Sequence, residues 1–439
     1  MSSIQTIHDQ LNDIKHVIVC VDPVDLDNIW VCLWALVRVP NAHIHVTLSP
    51  RVLDLQVPSF AGRFEELIKK VGLGYMLNVL DKDAEIDHLL GDKNLRDYFA
   101  RDTTFQKDPH TKTHIPLYMA LSALRFAKKF SSKGHAGSRY TFYWDTRSME
   151  TIIPGIHHPT HVNDYLYACS DDDLRVSKEY LHLRGPEREE KMVEIMNRTA
   201  RRLAEQLGYQ ATADILHPLE ELTELFKGPA AKTKSLVLGG GPFTEMVRIL
   251  AETGLVPLAI FAMARTWFAD VNISRSRTNY NDLLDLDAAM EVENIVKDRA
   301  IPTWFFPTEC AKAKVESGEV LRACPWDFTT KELVGVFQAA GDIESYEQAA
   351  AFTLETKTLA KVHMFDLLAV VPLALPQSLR SRRAVSYWDE VNGQRAIRIK
   401  EAVNGPVNVF YPEEEVMAAY KEKVMKEMSH VLSPIAGRA

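Results

Sequence analysis

His16-Val17-Ile18-Val19-Cys20-Val21-Asp22-Pro23-Val24-Asp25-Leu26-Asp27-Asn28-Ile29-Trp30 decides how the rest of the chain is read. Val17–Val21 is an apolar run of the length of a buried strand, and four oxygen-bearing side chains follow it within seven residues. A parallel strand of an α/β sheet presents its ligand-binding groups at its carboxyl end. Three carboxylates and an amide gathered there repel one another unless a cation or a polar substrate holds them. The stretch reads as one wall of a metal or sugar site.

Outward from it, apolar runs alternate with amphipathic stretches, the pattern of a mostly parallel sheet flanked by helices. Strands are expected at Val17–Val21, His43–Leu48, Arg139–Trp144, Ser235–Leu238, Leu258–Met263 and Thr303–Phe306. Helices are expected at Ile29–Val37, Phe64–Val71, Ile115–Phe130, Pro186–Leu207, Phe243–Thr253 and from Asp285 to Lys297. Arg101–Lys112 reads as a charged surface loop. With no internal repeat and no low-complexity linker, residues 1–439 read as a single α/β domain, elaborated between about 81 and 232.

The chain is 46% hydrophobic and 25% charged, an ordinary globular balance. A net charge of −8 gives no electrostatic footprint for nucleic acid or an anionic membrane. The N-terminus is polar rather than a signal peptide, and no apolar run reaches the ~20 residues of a membrane span. The five cysteines, Cys20, Cys32, Cys169, Cys310 and Cys324, lack metal-knuckle spacing and are odd in number. A reducing, cytoplasmic setting is therefore expected.

Four further segments carry chemistry. Gly239-Gly240-Gly241-Pro242-Phe243-Thr244 follows a strand; it lacks the order of a dinucleotide or phosphate loop and reads as a tight turn that places Thr244 at a strand end. Asn272, Asn279 and Asn281 suit either turns or sugar hydroxyls, because an amide both donates and accepts. Asp366 interrupts the apolar stretch His363–Leu375: it is either the N-cap of a short helix ending before Pro372 or a buried carboxylate that needs a partner. His157-His158-Pro159-Thr160-His161 reads as a loop, since the proline breaks the helical geometry of a metal site, and Asp171-Asp172-Asp173 as a solvated run.

Taken in order, these segments resemble the nucleoside hydrolases, the inosine-uridine-preferring N-ribohydrolases. That family opens on a strand followed by D-x-D-P-G-x-D-D, and Val21–Asn28 is similar to it with one inserted residue. Gly241-Pro242-Phe243-Thr244-Glu245 resembles its G-P-L-T-N turn. Met263, Asn272-Ile273-Ser274, Asn279-Tyr280-Asn281, Asp285 and Ala288-Ala289 follow the order of its later elements. Phe365-Asp366-Leu367-Leu368-Ala369 resembles H-D-P-L-A, and Val407–Val424 its last strand and helix. The resemblance covers roughly 15–51 and 233–428.

The resemblance implies a calcium site at the strands' carboxyl ends, with Asp22, Asn28, the Thr244 carbonyl and Asp366 as ligands. Asp22 would also be the base that activates the attacking water. Asp27, Met263, Asn272, Asn279 and Asn281 would line a ribose pocket. The expected reaction is cleavage of the N-glycosidic bond of a nucleoside or related riboside, with homo-oligomerisation left open. Departures from the pattern are specific: Cys20 replaces the first Asp, Val24 the Gly, Asn28 one metal carboxylate, Asn279 an acid and Phe365 a His. Aligned without a gap, Leu26 and Asp27 would fill the last two positions of the motif. Arg275 and Arg277, just before the replaced acid, suit either a solvent-facing loop or a 5′-phosphate. The alternative to an enzyme is a ligand-binding or scaffold protein that keeps the fold without turnover.

Overall fold

Val17, Val19 and Val21 are buried on one face of the first strand, and Ile18 and Cys20 on the other. A strand covered on both sides belongs inside a parallel sheet, and there the computed structural model places it. The structure describes residues 3–21, 26–49, 139–145, 216–267, 278–312, 327–329, 361–363, 366–370, 375–376, 380–391 and 394–411, with single helical residues at 187, 190, 191, 194, 198 and 426.

After the short helix α1 (Ile4–His8) come β1 (His16–Val21), α2 (Leu26–Arg38), β2 (His43–Leu48), β3 (Tyr140–Trp144), β4 (Leu216–Pro218) and α3 (Leu219–Lys227). The chain continues with β5 (Ser235–Gly240), α4 (Thr244–Thr253), β6 (Ala259–Met263), α5 (Tyr280–Leu284), α6 (Leu286–Asp298), β7 (Thr303–Phe306) and α7 (Glu309–Lys312). A small pair, β8 (Asp327–Thr329) and β9 (Lys361–His363), precedes a 3-10 turn at Asp366–Ala369. Last come β10 (Ser381–Val391), β11 (Gln394–Glu401) and β12 (Val407–Phe410).

Ten strands form one sheet in the order β11-β10-β12-β7-β6-β5-β1-β2-β3-β4. Every neighbouring pair from β4 to β12 is parallel, and β10 and β11 add an antiparallel hairpin at one edge. From β1 the chain winds outward through β2, β3 and β4, then returns to β5 on the other side of β1 and winds the opposite way. The reversal between β1 and β5 is a topological switch point, where open α/β sheets leave a crevice at the carboxyl ends.

Residues of α3, α4 and α6 close one face of the sheet over Ile18, Cys20, Val237, Ile260 and Phe305. Helix α2 packs on β1 and β2. Asp285 caps α6 by accepting from the Ala288 N–H at 3.1 Å, a contact worth about 1 kcal/mol. Helix α4 ends at Gly254, whose φ of 69° suits a residue without Cβ.

The expected strands all form. Helix α2 starts at Leu26, three residues before the expected Ile29, so that Asp27 and Asn28 lie in its first turn. Residues 81–232, expected as an elaboration, contribute β3, β4 and α3 to the central layers. Of Pro186–Leu207, the described residues Glu187, Glu190, Lys191, Glu194 and Arg198 are helical. Phe64–Val71, Arg101–Lys112, Ile115–Phe130, His157–His161 and Asp171–Asp173 lie outside the described residues. Cys20, Cys32 and Cys310 are buried free thiols. Among the described residues no helix is long and apolar enough to cross a membrane.

Candidate functional site

The switch point brings Val21 of β1 into register with Gly240 of β5. Asn28, in the first turn of the helix that follows β1, is fully buried beside this pair. The turn Asp366–Ala369 lies against α2 and against β5, β6 and β7. A Cβ built on Gly240 would sit 2.5 Å from Asn28 Oδ1 and 2.8 Å from Asp366 Cβ. Glycine is thus required for close approach, and the space it leaves is lined by an amide oxygen and a carboxylate.

Asn281, the second residue of α5, enters from the other side. Its Nδ2 donates to Asp366 Oδ1 at 3.0 Å and to the Met263 carbonyl, the last of β6, at 3.1 Å. Asp366 is the first residue of the short 3-10 turn rather than the residue before it, and it has the buried partner a carboxylate there needs. Of the two sequence readings of Asp366, the partnered buried carboxylate is the one this contact matches.

Asn279 is the N-cap of α5: its Oδ1 accepts from the Asn281 N–H at 3.0 Å, and its Nδ2 donates to Thr308 Oγ1 at 2.9 Å. Thr244 begins α4, with its hydroxyl donating to Asp285 Oδ2 at 2.6 Å. Asn28, Met263, Asn281 and Asp366 are thus brought together, while the Thr244 and Asn279 side chains serve helix ends beside them. Asp22, Asn272, Arg275 and Arg277, and the side chain of Asp27, lie outside the described residues.

Cys20, where the resemblance expects an Asp, is buried in β1, and burial pushes its thiol up to about 12. It adds no charge to the site. The donors of Asn28 and Asp366 are hard oxygens, the kind that calcium takes. Among the described residues no group of three His, Cys, Asp or Glu side chains could hold a metal.

Arg265, two residues past Met263, escapes sequence reasoning because it sits in an apolar context, Phe261-Ala262-Met263-Ala264-Arg265-Thr266-Trp267. It is fully buried, has φ 71°, and pairs with Asp282. Burial raises the Asp282 carboxyl, an effect that Arg265 opposes. A signal was available: an arginine directly after a buried strand needs a carboxylate nearby.

No protein-family model matches the chain, and no curated protein does. Among solved structures, an inosine-uridine preferring nucleoside hydrolase from Bacillus anthracis is 13% identical, with a TM-score of 0.45 over 94% of this chain and 100% of that one. The type III effector protein XopQ, complexed with adenosine diphosphate ribose, is 11% identical, with a TM-score of 0.43 over 98% of each chain. An inosine-guanosine nucleoside hydrolase is 12% identical, with a TM-score of 0.42 over 96% of this chain and 100% of its own. The site's own residues carry the functional reading.

Proposed function

We propose that the chain is a divergent, calcium-dependent N-glycosidase that hydrolyses a nucleoside or related riboside at the carboxyl ends of β1 and β5. The observation that carries this reading is the approach of Asn28 Oδ1 and Asp366 to Gly240 at the switch point, with Asn281 hydrogen-bonded to Asp366.

Asp22, Asn28, Asp366 and the Thr244 carbonyl would hold the cation. Calcium, when bound, supplies Lewis acidity to a water and to the ribose diol. Asp22, the first residue past β1, accepts the proton of the attacking water. The water oxygen bonds to the anomeric carbon, and the C–N bond breaks with its electron pair leaving on the base. Asp27, Asn272 and Asn281, with Met263, hold the sugar as positive charge develops on it, and Asn279 caps the helix that carries Asn281. Phe365 cannot donate a proton to the base, so aglycones that leave without an enzymic acid are favoured. Arg275 and Arg277 would meet a 5′-phosphate.

Hydrolysis of 4-nitrophenyl β-D-ribofuranoside with calcium present tests the reading. Release of nitrophenol that disappears in Asp22→Ala supports it; no release above the uncatalysed rate overturns it. The neutral Cys20 thiol and the Asn28 amide favour a second reading, a riboside-binding protein without turnover. Ribose binding without hydrolysis would select it.

A further inference from the structure

We propose that Arg265 is a positioning residue of this site: its buried guanidinium, acting through Asp282, holds the neighbouring amide of Asn281 on Asp366. The part played by Asn281 in binding riboside rests on the function proposed above; the mechanical link between Arg265 and Asn281 does not.

Arg265 itself cannot touch a ligand. No part of it is exposed, and its guanidinium lies 4.7 Å from the centre of the Phe305 ring and 5.7 Å from that of Phe243. Each of its three guanidinium nitrogens donates to a protein acceptor. Nε donates to Ser386 Oγ at 2.9 Å, one terminal nitrogen to Asp282 Oδ1, and the other to the Ala289 carbonyl at 2.6 Å. Glu293 stands 3.5 Å away. Whatever Arg265 does for the site, it does through these partners.

Its backbone points the same way. A non-glycine residue in the left-handed region is strained by its Cβ and needs its surroundings to hold it there. At φ 71° the Arg265 N–H donates to Asp282 Oδ2 at 2.8 Å, so main chain and side chain grip the two oxygens of one carboxylate. That carboxylate belongs to α5, a helix of five residues. So short a helix does not hold itself in water, and its orientation comes from its anchors. One anchor is the Asn279 cap on Asn281; the other is the grip on Asp282. Asn281 lies next to Asp282 in the chain, so turning Asp282 turns the amide that meets Met263 and Asp366. Lysine would keep the charge but has no planar fork to serve Asp282, Ala289 and Ser386 together.

The same guanidinium also ties in the β10 hairpin through Ser386, which donates in turn to Glu293. A purely structural pin would make the Ser386 contact as important to the site as the Asp282 contact. The two roles separate in full-length protein labelled with 15N-asparagine, comparing wild type, Arg265→Lys, Asp282→Asn and Ser386→Ala. Two quantities are read: hydrogen exchange of the Asn281 side-chain amide, and calorimetric binding of D-ribose with calcium.

In folded Arg265→Lys, the Asn281 amide should exchange about tenfold faster or more, and ribose affinity should fall about tenfold. Asp282→Asn, which keeps an oxygen for the Arg265 N–H, gives the same direction and serves if Arg265→Lys does not fold. Ser386→Ala should leave both within about twofold. Unchanged Asn281 exchange in a folded Arg265→Lys or Asp282→Asn overturns the proposal, as does equal loosening by Ser386→Ala. If wild type binds no ribose, the function reading fails while the exchange comparison still decides the role of Arg265.

Discussion

Asn281 Nδ2 lies 3.0 Å from Asp366 Oδ1 and 3.1 Å from the Met263 carbonyl, so one amide joins the end of β6 to the turn that covers β5. Asn281→Leu removes the donor from two acceptors in a buried setting and should destabilise the protein by about 1–3 kcal/mol in urea denaturation. Asn281→Asp instead sets a carboxylate against Asp366. Its penalty should shrink as pH falls, because protonating either carboxyl restores a hydrogen bond.

Gly240→Ala forces a Cβ to within 2.5 Å of Asn28 Oδ1. Calcium and ribose binding should fall by about tenfold or more, in line with the cost of displacing supporting groups by about 1 Å. Gly254 has open space around it, so Gly254→Ala should cost stability through its φ of 69° and leave binding unchanged. Calorimetry on the two variants checks the contrast.

Stability should depend on pH through the histidines at the amino ends of β1 and β2. His16 Nδ1 and His45 Nε2 are 3.0 Å apart, and His45 Nδ1 meets Tyr143 Oη at 3.3 Å. Burial holds His45 well below the ordinary histidine range, and His43 and His16 add to the effect; burial also lowers His16. The folded state therefore stays neutral where the unfolded chain takes up protons. The stability that results is present above about pH 6.5 and lost as pH falls below it. The melting temperature should drop between pH 7.5 and 5.5, more steeply in wild type than in His45→Gln.

The proposed role of Arg275 and Arg277 gives a preference to test. A nucleoside 5′-monophosphate should bind about tenfold more tightly than its nucleoside, the scale of one charge-assisted contact. The gap should close in Arg275→Ser/Arg277→Ser. Equal binding in wild type would place both arginines in solvent.

The sheet is legible in the sequence because its residues obey local rules. Val17–Val21 and Ser235–Leu238 read as buried strands; Gly239-Gly240-Gly241-Pro242 reads as a tight turn, but Gly239 and Gly240 are the last two residues of β5, where pairing with β1 carries the strand on and Gly240 leaves room for Asn28 and Asp366. The β10–β11 hairpin was missed: Ser381–Val391 carries charges at Arg382, Arg383, Asp389 and Glu390, which hides the alternation of an edge strand. The pair Asn392-Gly393 between the two strands was the signal to use. Arg265 was missed for the opposite reason: its partners Asp282, Glu293 and Ser386 are distant in sequence, and only the fold assembles them.

Calorimetric titration of metal-stripped protein with calcium, with and without D-ribose and with Asp22→Ala as control, tests the central claim most directly. The account predicts one calcium per chain, bound more tightly when ribose is present, and lost in Asp22→Ala. Absence of binding at about millimolar calcium, beyond the weakest range of protein calcium sites, would contradict it.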